Sequence, residues 1–127
     1  MIAGIGVDLV DKSRIDRLLE QYGEQFIRRV LNTVELEQFT GSTRKSWFIA
    51  NRFAAKEAIS KALGTGLRYP VTLLSIGVIS NELGRPGFVF SDALQAYLKS
   101  RNISGTHLSI THENQLVCAM VVLESVQ

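Results

Sequence analysis

Apolar positions change their spacing several times along the chain, and each change predicts an element. Residues 2–10 are almost continuously apolar with β-branched members, the signature of a buried strand. Asp8 interrupts that run. A carboxylate there is costly unless it is paired or bound to a cation, or unless it lies at the strand end, solvated or capping the next helix. Ser13 is placed to cap a helix beginning at Arg14, whose stripe is Ile15, Leu18, Leu19 and Tyr22 and whose stop is Gly23. A further helical segment spans 24–31. Thr33, with Glu35 or Glu37, is placed to cap a short helix that follows. Gly41-Ser42-Thr43 reads as a loop. The longest helical pattern then runs from 45 to 63, with Phe48, Arg52, Ala55, Ile59 and Ala62 on one face and Gly64 as its stop.

After Gly66 the period shortens. Strands are predicted at 73–79 and 87–90, joined by the turn 81–86. A helix from Ser91 or Asp92 to Lys99 follows, then an antiparallel hairpin of strands 107–111 and 116–123. In the last strand Val117, Ala119, Val121 and Leu123 share one face, and Leu116, Cys118, Met120 and Val122 the other. Both faces are apolar, which predicts burial by the core on one side and by a subunit interface on the other. One strand, several helices and a strand-rich second half give an α+β domain over residues 1–127.

Composition narrows the class. With 46% hydrophobic and 20% charged residues the chain is an ordinary globular one. No apolar run reaches the roughly 18 residues of a membrane span, and the first residues read as a strand rather than a signal peptide. The single cysteine, Cys118, excludes an internal disulfide and fits the cytoplasm. From Lys12 to Lys61, ten Lys or Arg stand against six Asp or Glu, whereas the remaining residues are net acidic. A basic stretch in a nearly neutral chain predicts an anionic partner surface. No nucleic-acid recognition motif accompanies it.

The long helix carries the densest chemistry. Glu57 and Lys61 share one face, and Arg52 and Lys56 lie on a neighbouring one. An acid among three cations is able to hold a metal ion and an anionic substrate together. The same spacing also serves as a surface ion pair on a solvated helix.

The chain resembles the bacterial holo-acyl-carrier-protein synthases, the short branch of the 4′-phosphopantetheinyl transferases. The resemblance rests on five segments in order: Gly4-Ile5-Gly6-Val7-Asp8-Leu9-Val10; Arg52-Phe53-Ala54-Ala55-Lys56-Glu57-Ala58 through Lys61-Ala62; Gly64-Thr65-Gly66; Asn81-Glu82-Leu83-Gly84-Arg85-Pro86; and His107-Leu108-Ser109-Ile110-Thr111-His112. It implies a homotrimer with the 4′-phosphopantetheinyl transferase fold, an antiparallel sheet packed on a long central helix. It also implies Mg²⁺-dependent transfer of the phosphopantetheine arm of coenzyme A to a serine of acidic apo-acyl carrier protein, in support of fatty acid biosynthesis.

By this resemblance Asp8 and Glu57 bind Mg²⁺; Lys61, one turn beyond Glu57, is placed to contact the α-phosphate and offset charge on the departing bisphosphate, or to pair with Glu57. Arg52, Lys56, Arg44, Lys45, Gly64, Thr65, Pro86 and His107 are candidates for contact with coenzyme A. Arg14, Arg17, Arg28 and Arg29 are expected to meet carboxylates of the carrier protein. The proton acceptor is left among a metal-activated water, Glu57 and Glu35. A rival reading is a non-catalytic module that holds an acidic protein or RNA on its basic helices. Two converging carboxylates are the feature that separates the two.

Overall fold

The computed structural model describes residues 1–126, so Gln127, the last position of the expected domain, lies outside the described residues. Strand β1 (Ile2–Asp11) leads into helices α1 (Lys12–Tyr22), α2 (Glu24–Val30), α3 (Thr33–Thr40) and the long α4 (Lys45–Leu63). The hairpin β2 (Ile76–Ser80) and β3 (Pro86–Phe90), helix α5 (Asp92–Ser100) and the hairpin β4 (Ile103–Glu113) and β5 (Leu116–Ser125) complete it. This is the expected α+β order, with antiparallel strands throughout. The strands divide into a three-stranded sheet, β1-β5-β4, and a separate β2-β3 pair. Among the described residues no helix is long and apolar enough to cross a membrane.

Two helix starts differ from expectation. Asp11, not Ser13, caps α1: its carboxylate accepts from the Ser13 amide at 2.9 Å and the Ser13 hydroxyl at 2.7 Å. A carboxylate accepts both donors at once, whereas Ser13 is itself one of the donors. Asn32, not Thr33, caps α3. Its side chain accepts from the Glu35 amide at 3.1 Å while Glu35 accepts from the Asn32 amide at 3.0 Å, a reciprocal capping box.

The core lies between the three-stranded sheet and α4. Val117, Ala119, Val121 and Leu123 are all 0% exposed on the inner face of β5. The outer face is different. Val7 pairs with Met120 and Leu9 with Cys118, which places Ile5, Val7, Leu9, Leu116 and Met120 on one exposed apolar surface. A single chain covers only one of the two faces.

Candidate active site

Strand pleating sends Gly4, Gly6, Asp8 and Val10 to the same side of β1, towards α4. The two glycines set how close strand and helix come. A Cβ on Gly6 would fall 1.9 Å from the Ala58 carbonyl oxygen, and one on Gly4 would fall 2.1 Å from that of Ala62. Hence β1 lies directly on the α4 backbone, and Asp8, one pleat beyond Gly6, reaches the face that carries Glu57 and Lys61. The Lys61 ammonium donates to Asp8 Oδ1 at 2.8 Å and to the Val7 carbonyl at 3.4 Å. Lys61 therefore pairs across to the strand rather than along the helix to Glu57.

Asp8 and Glu57 line one cavity of about 230 Å³, together with Arg14, Ile15, Leu18 and Phe53. Partial burial pushes the Glu57 carboxyl above its ordinary value; the Asp8 charge adds to that rise, and Lys61 and Arg14 oppose it. The Lys61 ammonium is raised by its hydrogen bond to Asp8 and by that carboxylate's charge. A cation beside both carboxylates would relieve the rise that Asp8 and burial impose on Glu57. Among the described residues no group of three or more His, Cys, Asp or Glu gathers to hold a metal. The residues able to hold a cation at this cavity are thus two carboxylates, Asp8 and Glu57. That suits Mg²⁺, which takes oxygen ligands and keeps several waters, and does not suit a closed zinc site.

One expected coenzyme contact, Lys56, is corrected, and a second, Arg52, is largely drawn into the fold. Lys56 is 0% exposed and ion-paired with Glu35 Oε1 at 2.6 Å. It also donates to the Leu73 carbonyl at 2.9 Å and to the Val30 carbonyl. All three of its protons are engaged inside the protein, and burial lowers its pKa against the pull of Glu35. Arg52 is buried too. Its guanidinium lies 3.6 Å from the Phe48 ring centroid, donates to the Val78 carbonyl at 3.2 Å and reaches Gln38 Oε1 at 3.4 Å. Both cations join α4 to its neighbours; Lys56 has no donor left for a phosphate, whereas the bonds of Arg52 engage only its Nε and one Nη2 proton. Glu35 is likewise withdrawn as a proton acceptor, because it is fully buried between Lys56 and the Val78 amide at 3.0 Å.

The remaining candidates stay accessible. Arg44 faces the Trp47 ring at 5.5 Å, while the Lys45 ammonium donates to the carbonyls of Phe39 at 2.9 Å and Ser42 at 3.1 Å. Gly64 ends α4 in the left-handed conformation at φ 76° and, with Thr65, borders a second cavity of about 280 Å³. Pro86 opens β3, and His107 on β4 contacts the Glu124 carboxylate. Of the arginines, Arg14 reaches the Asp8–Glu57 cavity and Arg29 borders an adjoining groove with Tyr22 and Phe26. Arg17 is exposed on α1, and Arg28 is held by Glu24 at 3.0 Å.

Sequence reasoning missed the apolar wall of the cavity. Phe53 is four residues before Glu57 and so shares its face, a signal the helical period offered. Leu18 carried no such signal, since its place depends on how α1 crosses α4.

A family model described as the 4′-phosphopantetheinyl transferase superfamily matches residues 4–121. A holo-[acyl-carrier-protein] synthase of Nitrosospira multiformis is 51% identical over 124 residues, 98% of this chain and 99% of its own. The crystal structure of holo-[acyl-carrier-protein] synthase from Neisseria meningitidis superposes with a TM-score of 0.95 at 42% identity, covering 98% of this chain and 100% of that one. The Helicobacter pylori synthase in complex with coenzyme A gives 0.82 at 30% identity, covering 94% of this chain and 99% of that one.

Proposed function

The chain belongs to the 4′-phosphopantetheinyl transferase superfamily, and from that premise we propose how the cavity between β1 and α4 carries its reaction. The protein is a holo-[acyl-carrier-protein] synthase: it moves the 4′-phosphopantetheine arm of coenzyme A to a serine hydroxyl of apo-acyl carrier protein. The serine oxygen attacks the phosphorus that bears the pantetheine. The bond from that phosphorus to the bridging oxygen breaks, and adenosine 3′,5′-bisphosphate leaves.

The observation that carries this reading is the meeting of Asp8 and Glu57 in one cavity, with Lys61 on Asp8. Asp8 and Glu57 would hold Mg²⁺, which when bound neutralises the diphosphate and the charge that gathers on its oxygens. Lys61 sits one helical turn beyond Glu57 and meets the leaving phosphate as a point charge. The carrier serine loses its proton at the Glu57 carboxylate or to a water which that carboxylate holds. Gly64, Thr65, Pro86, His107, Arg44 and Lys45 are the proposed coenzyme contacts. Arg14, Arg17, Arg28 and Arg29 are the proposed contacts for the acidic carrier, in a salt-sensitive encounter.

The exposed apolar face of β1 and β5 supports self-association, and we propose a homotrimer. Light scattering at three times the chain mass is the expected result. Residence in the cytoplasm and service to fatty acid biosynthesis belong to the same reading.

The test is mass spectrometry of apo-acyl carrier protein after incubation with coenzyme A and Mg²⁺. The carrier gains one phosphopantetheine arm. Asp8→Ala and Glu57→Ala each slow transfer by at least about a hundredfold while circular dichroism stays unchanged. Near-normal turnover in either variant would displace the site.

A further inference from the structure

The cavity is already neutral before anything binds. Of its lining residues Asp8 and Glu57 supply two negative charges and Arg14 one positive, and Lys61, reaching Asp8 from the rim, supplies the second positive one. The Lys61 ammonium does more than balance the total. It lies 2.8 Å from Asp8 Oδ1, and its second acceptor is the Val7 carbonyl at 3.4 Å. The Asp8 side chain is only 13% exposed, whereas that of Lys61 is 54% exposed and has room to move. A magnesium ion on Asp8 would stand about 2.0–2.1 Å from a carboxylate oxygen, within a few ångströms of the ammonium. Like charges at that separation repel strongly where water is partly excluded.

We infer that the Lys61 ammonium occupies the cation seat at Asp8 in the free protein, so that the site refuses a bare divalent ion and accepts one only together with the diphosphate of its substrate. A dication alone would leave the cavity doubly positive. A dication on the doubly negative diphosphate linkage arrives as a neutral unit. The phosphate oxygens also give the ammonium a new acceptor when it leaves Asp8. Metal and coenzyme therefore strengthen each other's binding, reciprocally as linkage requires. Lys61 acts here as a positioning residue that sets the order of assembly. The inference rests on the proposed metal role of Asp8 and Glu57.

The test measures binding, not turnover. Mn²⁺ serves as the probe and is followed by electron paramagnetic resonance, with and without saturating coenzyme A, against a control of coenzyme A alone. In the unaltered protein Mn²⁺ affinity rises about tenfold or more when coenzyme A is present. In Lys61→Met, Mn²⁺ without coenzyme binds about tenfold more tightly than to the unaltered protein, and the gain from coenzyme shrinks. Lys61→Arg keeps a cation on Asp8 and keeps the unaltered behaviour. If Mn²⁺ alone binds Lys61→Met no more tightly than the unaltered protein, the inference is overturned and the metal site stands. If coenzyme A brings no protein-bound Mn²⁺ in any of the three proteins, the metal site falls and the inference with it.

Discussion

Helix α4 carries two lysine–carboxylate pairs that look alike in sequence and differ in almost everything else. Lys56 and Glu35 are both 0% exposed at 2.6 Å, whereas Lys61 and Asp8 are 54% and 13% exposed at 2.8 Å. Five positions turn an α-helix by about 500°, so the two lysines leave it about 140° apart. One points into the junction of α2, α3 and β2, the other to the rim of the cavity. At the buried pair every donor and acceptor is satisfied within the protein, and nothing is left for a ligand. At the rim pair a half-exposed ammonium and a largely buried carboxylate are held together with a cavity beside them. Charge on a helix marks a binding site only where the surrounding structure leaves that charge incompletely satisfied.

The sharpest way to break this contrast is to remove one buried partner. Glu35→Ala leaves the Lys56 ammonium in the core without its counter-ion and the Val78 amide without its acceptor. A loss of about 3–5 kcal/mol is expected in urea unfolding. Lys56→Met combined with Glu35→Gln should recover much of it, because the amide oxygen still serves Val78 and the lysine charge leaves the core together with that of its partner. Lys61→Met at the rim should cost under about 1 kcal/mol. Equal losses at the two sites would erase the distinction between them.

The strand side gives a second, smaller break. Gly6→Ala sets a methyl group against the Ala58 carbonyl, which belongs to the helix backbone and has no rotamer to escape into. A cost of about 1–3 kcal/mol is expected from overpacking, and β1 must move off α4. Because Asp8 rides on β1, transfer should fall by more than the stability loss explains. Gly6→Ala with full activity per folded molecule would mean that the carboxylates do not depend on this close approach.

Much of this was legible in the sequence. The long helix 45–63, the strand over Asp8, and the two-faced last strand follow from spacing alone, and their observed bounds differ little. The meeting of Asp8 and Glu57 in one cavity was legible only through the resemblance, since no local pattern joins residues so far apart. What the sequence concealed was the direction in which each cation leaves the helix. Arg52, Lys56 and Lys61 are equally basic in a string of letters. Only the packing of α3 and β2 against one side of α4 converts the first two into core residues. Glu35 was hidden for the same reason: its capping box with Asn32 was within reach of the local pattern, but its burial against Lys56 is a tertiary fact. Strand β2 begins at Ile76 rather than 73 because the Leu73 carbonyl is turned to accept from Lys56 and Ser75 closes a turn on Thr72.

The finest test concerns what an incompletely satisfied carboxylate does to the fold that carries it. Glu57 has its proton affinity raised by burial and by Asp8. A carboxyl whose folded-state value lies above its unfolded value, about 4.3 for glutamate, binds its proton more tightly in the folded chain. Its favourable contribution is complete below the unfolded value and is lost as pH rises through the folded one. At neutral pH, without metal, the ionised Glu57 therefore destabilises the protein slightly, and Glu57→Gln should raise the melting temperature there while ending transfer. The expected gain is under about 1 kcal/mol, since water still reaches the cavity, and it should vanish on acidification below about pH 4. Thermal unfolding in the presence of a chelator at both pH values measures it. A variant less stable than its parent at neutral pH would mean that Glu57 is bound into the structure as Glu35 is, and the two sides of α4 would then differ in depth alone, not in purpose.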